Sequence, residues 1–459
     1  MRVSPIDARL FYECYLTIIT VSPLPALTAI TEGARSRSAF DHRIRAKVPA
    51  LNIDNYLFND TMYHLIRIRW WLVTLSPPAD TSENRVMQSY DVLVVGAGAA
   101  GVGIGCALQE LTLTPNQWLI IDRTAVGSSF RHWPCEMRLI TPSFPGNDFG
   151  VIDLNAVTPH TSPALSLAAE HPSGPDYARY LCSLAEHFEL PIRTDVSVTA
   201  VEPADDGFIV RTTSEPLHAR LVIWAAGEFQ YPRTTGFCGA EQCLLASTVS
   251  SWNHIMGTDP IIIGGYESGM DAAIHLARRG MAVRVIDAGT PWDTIDTDPS
   301  RTLSPYTQER LRALPNGALT LIGETRVERV VTVAEGYYVF TNHHPVPLFS
   351  AMAPILATGF AGSLSSPAIA PLFARRDDGY VVLTTEDEST ITPGLFVVGP
   401  NVRHDDLIFC FIYKFRQRFA VVARAIGQRL GLPTDGLDWY RERGMFLDDL
   451  SCCDTTCAC

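Results

Sequence analysis

The strongest constraint on this chain is a pattern written twice along it. An apolar strand, DVLVV at 91–95, runs into the glycine turn GAGAAG, then a helix-period stretch to about Leu111, then a second strand, WLIID, that ends at Asp122. Further on, PIIIGGYESG (260–269) gives a strand and a glycine turn, MDAAIHLARR a helix, and VRVID a strand ending at Asp287. Each copy is followed by alternating segments and a small-residue turn. After the first copy these are VSVTAVEP, GFIVRTT and ARLVIWAAG; after the second, VERVVTVAEGYYVFTN and APILATGF. Repetition of a whole strand–turn–helix–strand unit is evidence about architecture before any single residue is considered.

The turns explain what the units are for. In GxGxxG, Gly96 permits the tight turn, Gly98 lets backbone approach a pyrophosphate, and Gly101 lets helix and strand pack closely. The pyrophosphate then sits at a helix N-terminus, where unpaired N–H groups and the dipole favour an anion. Asp122, 26 residues after Gly96, ends the second strand, where a carboxylate accepts bonds from ribose hydroxyls. Arg123 and Ser129 join this cofactor-binding set. In the second unit Gly264 and Gly269 hold the first and third places, Tyr266 replaces the middle glycine, and Asp287 follows Gly264 by 23 residues. Tyr266 must stack beside a nucleotide or push it outward; a repeat that binds nothing is the rival reading. Asp287 favours NADH over NADPH, because an acid at the ribose repels a 2′-phosphate; Arg278, Arg279 and Arg284 are the residues able to reverse that preference.

The expected fold is therefore α/β, with two Rossmann-like (three-layer ββα) dinucleotide-binding domains, the second inserted in the first. The FAD-binding domain takes residues 87–250 and 351–430, the NAD(P)H-binding domain 251–350. Residues 431–459 form an acidic, cysteine-rich tail. Residues 1–86 show no sustained period and read as a weakly ordered extension, with Met87 as the natural start of the folded unit; a helical appendage and a targeting peptide are the alternatives.

Composition removes several functions. With 36 basic against 49 acidic side chains the net charge is −13, which is no footprint for nucleic acid. Lys47 and Lys414 are the only lysines, so a Walker A loop is excluded. The longest apolar stretch, residues 10–30, is broken by Glu13 and two prolines, short of the ~20 residues of a membrane span. Seven of the eleven cysteines stand singly and read as reduced thiols of a cytoplasmic protein; Cys452, Cys453, Cys457 and Cys459 crowd the end. Clustered soft thiolates suit a thiophilic metal ion, and a redox relay or no catalytic role are the other readings of that tail.

Taken together, GAGAAG, AAGEFQYP (225–232), GGYESG, ATGF (357–360) and PGLFVVGPN (393–401) resemble the flavoproteins with two dinucleotide-binding domains. That superfamily holds the pyridine nucleotide-disulfide oxidoreductases and the flavin-containing and Baeyer–Villiger monooxygenases. The resemblance implies FAD in the first unit, a nicotinamide in the second, and Gly359, Gly399 and Pro400 close to the flavin. It also implies a helix from Asp406 to about Leu430 aimed at the ring, with Arg403 and His404 adding charge there or pairing with Asp405 or Asp406. Trp133, His132 and Arg131, with Arg138, are the residues placed around the substrate.

Disulfide reductases of the superfamily carry a cysteine pair that this chain lacks: Cys135 is alone after the first unit, and 260–350 holds no cysteine. Gly127-Ser128-Ser129-Phe130, Trp133, ATGF and Gly399-Pro400-Asn401 resemble the monooxygenase set instead. The monooxygenase fingerprint before the second turn is incomplete, since Phe237 and Gly239 match but Cys243 stands at the histidine position, with Trp252 as a candidate aromatic. The expected function is an NAD(P)H-dependent FAD oxidoreductase passing hydride to flavin N5, most like a single-component monooxygenase acting on a small molecule. A thiol, disulfide or metal(loid) reductase using the terminal cysteines, and a non-enzymatic redox or metal sensor, are the alternatives. A homodimer stays open.

Overall fold

The computed structural model describes residues 87–146 and 150–453. The expectations for residues 1–86, and for Cys457 and Cys459, lie outside the described residues. The chain opens with β1 (Ser89–Val95), whose last four residues are buried, as an apolar run covered on both faces requires. Helix α1 (Ala99–Gln109) and β2 (Trp118–Ile121) follow. A short helix α2 (Ser128–Arg131) and the longer α3 (Gly174–His187) come next. The start of α3 is fixed by a capping box: Ser173 Oγ accepts the Asp176 N–H, and the Asp176 carboxylate accepts the Ser173 N–H. Then come β3 (Ile192–Arg193), β4 (Val198–Ala204), β5 (Gly207–Thr212) and β6 (Leu217–Trp224).

The second copy begins with β7 (Leu244–Leu245) and β8 (Ile261–Ile263), followed by α4 (Glu267–Arg278) and β9 (Val283–Ile286). Helix α5 (Pro305–Arg312) and β10 (Leu319–Ile322) precede a meander of β11 (Val327–Val333), β12 (Gly336–Thr341) and β13 (Leu348–Ser350). The chain returns through β14 (Ile355–Leu356), β15 (Leu395–Val397), a hairpin of β16 (Arg403–His404) and β17 (Leu407–Ile408), and helices α6 (Ile412–Phe415) and α7 (Phe419–Leu430).

Two sheets carry the duplication. The first has the order β3-β2-β1-β6-β5-β4 with β15 also on β6; the second is β10-β9-β8-β14-β7. Strands β1, β2, β3, β6 and β15 are parallel, matching β8, β9, β10, β14 and β7 one for one. The antiparallel pair β4–β5 corresponds to the separate β11-β12-β13 meander. Strand β6 is shared: one edge pairs with β1 along its length, while the other pairs β5 at Leu217–Ala219 and β15 at Val222–Trp224. This is the α/β, two-unit architecture expected. Among the described residues no helix is long and apolar enough to cross a membrane.

One element differs from expectation. No helix starts at Asp406. Asp405, at φ +47°, turns the chain between β16 and β17, and the helix begins only at Ile412, after Phe411 in extended conformation. A short 3-10 turn, Arg416–Arg418, separates α6 from α7. A polar pair, Asp405-Asp406, matched a helix start by composition, but a left-handed residue inside a two-strand hairpin cannot continue a helix.

Candidate active site: a cleft shared by two glycine turns

The two turns are built by the same set of contacts. In the first, the Gly96 N–H donates to Ile121 O at 2.7 Å, and Asp122 accepts the N–H of Ala97 at 2.8 Å on Oδ2 and of Thr124 at 2.8 Å on Oδ1. In the second, the Gly264 N–H donates to Ile286 O at 2.8 Å, and Asp287 accepts Gly265 N–H at 2.6 Å and Gly289 N–H at 2.8 Å. Each acid therefore clasps its own turn and still has lone pairs for a ribose, since a carboxylate offers about four. Packing is duplicated as well. A Cβ on Gly101 would stand 1.8 Å from Gly96 O, and one on Gly269 would stand 1.9 Å from Gly264 O. Gly101, Gly264, Gly269 and Asp287 thus set the shape of the turns from behind.

Both turns open onto one cavity of about 560 Å³. Gly96, Gly98, Asp122, Arg123 and Ser129 line it on one side and Tyr266 on the other, with Pro400 and Trp133 between them. Gly399 lies beneath, at φ +102°, with its missing Cβ 3.0 Å from the Ala100 methyl; Gly359 borders an adjoining hollow and Phe360 borders both. Rings form one wall: Phe130 to Trp133 at 5.0 Å, Trp133 to Phe229 at 6.4 Å, and Phe229 to Phe360 at 5.5 Å between centroids. Three motifs far apart in sequence, GSSF, AAGEF and ATGF, thereby meet in one aromatic surface.

Two expected substrate residues face elsewhere. Arg131 and His132 are exposed outside the cavity: the Arg131 guanidinium reaches Cys182 Sγ at 3.2 Å, and His132 Nδ1 pairs with Ser128 O at 2.7 Å. Because α2 is a helical turn, only Trp133 of the three consecutive residues emerges on the cleft side. Arg138 lines the cavity while donating to Cys135 O at 2.8 Å and Met137 O at 2.9 Å. Neither Arg403 nor His404 pairs with its acidic neighbours: Arg403 donates to Pro400 O and Val402 O, and His404 binds Asp387 at 2.5 Å. Trp252 is buried, its indole N–H donating to Asp271 at 2.8 Å, so it serves the core of the second unit. Arg279 and Arg284 are committed to carbonyls, the first to Trp252 O and Ile255 O, the second to Asp259 O and Phe349 O.

Two cleft residues were not singled out by the sequence. Glu228, inside the quoted AAGEFQYP motif, lines the cavity; its backbone carbonyl accepts the Tyr231 N–H at 2.8 Å, but its carboxylate accepts no hydrogen bond among the described residues. Burial raises its pKa, against the opposing pull of the Arg403 charge. Its signal was an acid directly after the small-residue turn that closes β6. Cys410 also lines the cavity, and burial pushes its thiol up despite Ser300 and Lys414; an isolated cysteine in the apolar run IFCFI gave no signal. Among the described residues no cluster of three or more His, Cys, Asp or Glu side chains forms a metal site. Cys452 and Cys453 fall in a short 3-10 turn, Leu450–Cys453, that leads to the undescribed end.

The first cradle fits FAD. A Cβ at Gly98 would meet nothing within 4 Å, so the floor of the turn is open. The first turn of α1 carries no acid, leaving its N–H groups and dipole for an anion. The second cradle has the same backbone and the same acid but fits a dinucleotide less well, because Tyr266 stands on that floor and Glu267 occupies the first turn of α4.

Comparison with known proteins agrees with this geometry. An oxidoreductase designated CzcO from Bacillus velezensis is 25% identical over 197 residues, 41% of this chain and 52% of that protein. The chain thus spans about half the length of the curated relatives it matches. Among solved structures, a bacillithiol disulfide reductase from Staphylococcus aureus is similar with a TM-score of 0.60 at 18% identity, covering 75% of this chain and 99% of that one. A flavin-containing monooxygenase from Stenotrophomonas maltophilia is similar with a TM-score of 0.56 at 18% identity, covering 75% and 100%. These likenesses concern the fold. The profile of the pyridine nucleotide-disulphide oxidoreductases matches residues 93–399, and with both glycine cradles in place the chain belongs to that family.

Proposed function

We propose that the protein is an FAD-dependent oxidoreductase that works on a small organic molecule in the shared cleft, closest in kind to the single-component flavin monooxygenases. One observation carries the reading: an open glycine cradle, an aromatic wall and an unpaired carboxyl group face the same cavity. FAD, when bound, supplies a two-electron carrier whose reactivity the protein tunes. Gly96, Gly98, Asp122, Arg123, Ser129 and Pro400 would hold it. The rings of Phe130, Trp133, Phe229 and Phe360 would exclude water from the substrate face. Glu228, whose pKa burial raises, would hold or deliver a proton at a substrate oxygen or nitrogen.

A cysteine relay draws no support from the described residues. Cys410 is the one cysteine among them on the cavity wall, and a raised pKa keeps it a thiol, whereas the thiolate is the nucleophile. NAD(P)H is the donor that the family relationship supports. Asp287 and the commitment of Arg279 and Arg284 to carbonyls favour NADH, but entry requires the second cradle to open.

The test is optical. The purified chain, incubated with FAD and freed of unbound flavin by gel filtration, should stay yellow, bleach on chemical reduction without oxygen, and recover colour when oxygen is admitted. A well-folded preparation that is colourless once unbound FAD has been removed by gel filtration overturns the proposal.

A further inference from the structure

The two cradles are internal controls for each other, and they differ in one place. Gly98 and Tyr266 hold equivalent positions with nearly identical backbone angles, φ −81°, ψ −164° against φ −86°, ψ −165°. At Gly98 the space a side chain would enter is empty. At Tyr266 that space receives a phenol, 36% exposed, whose hydroxyl lies 3.0 Å from both Ser300 O and Thr302 O. In a turn of this type the middle glycine is what lets a pyrophosphate touch the backbone. A side chain there stands between the two.

The carbonyls that receive Tyr266 belong to a strap, residues 298–304, fastened over the N-terminus of α4 by more than this bond. Glu267 accepts the Ser304 N–H at 2.5 Å and the Thr307 hydroxyl at 2.6 Å, so the acid that occupies this helix start is the chain's own. From the flavin side, Lys414 in α6 donates to Asp298 at 2.5 Å and to Ser300 Oγ at 2.8 Å. The strap is thus pinned by Tyr266, Glu267 and Lys414, and it borders the same cavity through Pro299, Ser300 and Thr302.

We propose that Tyr266 and the strap it holds close the second cradle, so that this chain rejects the pyrophosphate of a nicotinamide dinucleotide until the phenol leaves Ser300 and Thr302. The closure is steric at Tyr266, and Glu267 reinforces it by occupying the helix start and binding Ser304 and Thr307. It does not depend on what fills the first cradle. Tyr266 is therefore a residue that determines which electron donors reach the cleft, and when.

ADP-ribose, NAD+ and NADP+ are suitable probes, because none of them reduces a flavin and all carry the pyrophosphate. Each is titrated by calorimetry into the full chain saturated with FAD. The parent chain should bind all three weakly. Tyr266→Gly should bind ADP-ribose about tenfold tighter or more, the effect of ~1.4 kcal/mol. Tyr266→Phe, which keeps the ring and loses both carbonyl bonds, should move in the same direction by less, and it decides the matter if the glycine variant does not fold. A parent chain with micromolar ADP-ribose affinity, or variants that bind no better than the parent, overturns the proposal. Should the chain take up no flavin, the functional reading fails visibly by colour. The titration is then run on Gly98→Tyr, in which the first cradle is shut and the second is untouched.

Discussion

A carboxyl group set among protein atoms without a hydrogen-bond donor is costly to ionise, and the half-buried Glu228 is held in that condition on the cleft wall. Its folded pKa lies above the ordinary 4.5, burial being the cause and Arg403 the weaker opposing influence. The folded protein therefore binds the proton more tightly than the unfolded chain, so this group's contribution to stability is full at low pH and is lost as pH rises through the folded pKa. Glu228→Gln, which cannot ionise, should accordingly raise the melting temperature more at pH 8 than at pH 5. An equal shift at both values would mean that Glu228 is already charged in the fold. Residues of this kind divide by how local their signal is. Asp122 and Asp287 were legible because a strand end places them at a fixed spacing from a glycine turn. The raised pKa of Glu228 was not, because it depends on burial and on Arg403 of β16, which the chain brings near Glu228 only in three dimensions.

Among the elements, the segment that follows β2 is the one whose placement most affects the cleft, since residues 131–142 deliver Trp133 and Arg138 to its wall. Glu136 anchors it. The carboxylate accepts the Ser251 hydroxyl at 2.5 Å, the Asn253 amide at 2.7 Å and the Trp252 N–H at 3.0 Å, and Cys135 N–H donates to Ser250 O nearby at 2.9 Å. Partial burial works against the charge, but these bonds outweigh it and hold the pKa down at about 2. Because the folded value is depressed, the stabilisation is present above the ordinary 4.5 and disappears as pH falls toward 2. Glu136→Gln should cost about 1–2 kcal/mol at neutral pH, a figure that allows for solvent screening, with the difference from the parent closing as the medium is acidified. Denaturation curves at neutral and acid pH check this; a constant gap would assign the loss to packing. Regular elements here followed their periodicity closely, from β1 to the β11–β12 hairpin. The misplaced start of α6 shows the limit: Asp405 adopts a left-handed angle because β16 and β17 pair, and that pairing is two residues long on each side, too short to leave a pattern.

For the molecule as a whole, the duplication was readable because it is encoded as repeated text, whereas the fastening between the copies is not. It passes through Lys414, one of two lysines in the chain, to a strap more than a hundred residues earlier. Lys414→Met should leave sheet amides protected in hydrogen exchange while residues 298–304 exchange faster, because the strap loses its tie to α6 but keeps Tyr266 and Glu267. Unchanged exchange there would show that the lysine carries no part of the restraint.

The shared edge of β6 has a consequence for how the polypeptide is made. On the edge away from β1, Val222–Trp224 offer hydrogen-bonding groups that residues 394–398, β15 and its two neighbours, satisfy, and these are synthesised only after the entire second sheet. A nascent chain that has passed Trp224 but not Val397 thus exposes an unfilled slot in its central sheet, the kind of bare strand margin that other chains can pair with. Closing it demands a contact across some 170 residues, which by loop-closure entropy is a slow one. The first sheet, though begun first, is the last to be completed, and ribosome-bound fragments ending before residue 395 are where misassembly of this protein would concentrate.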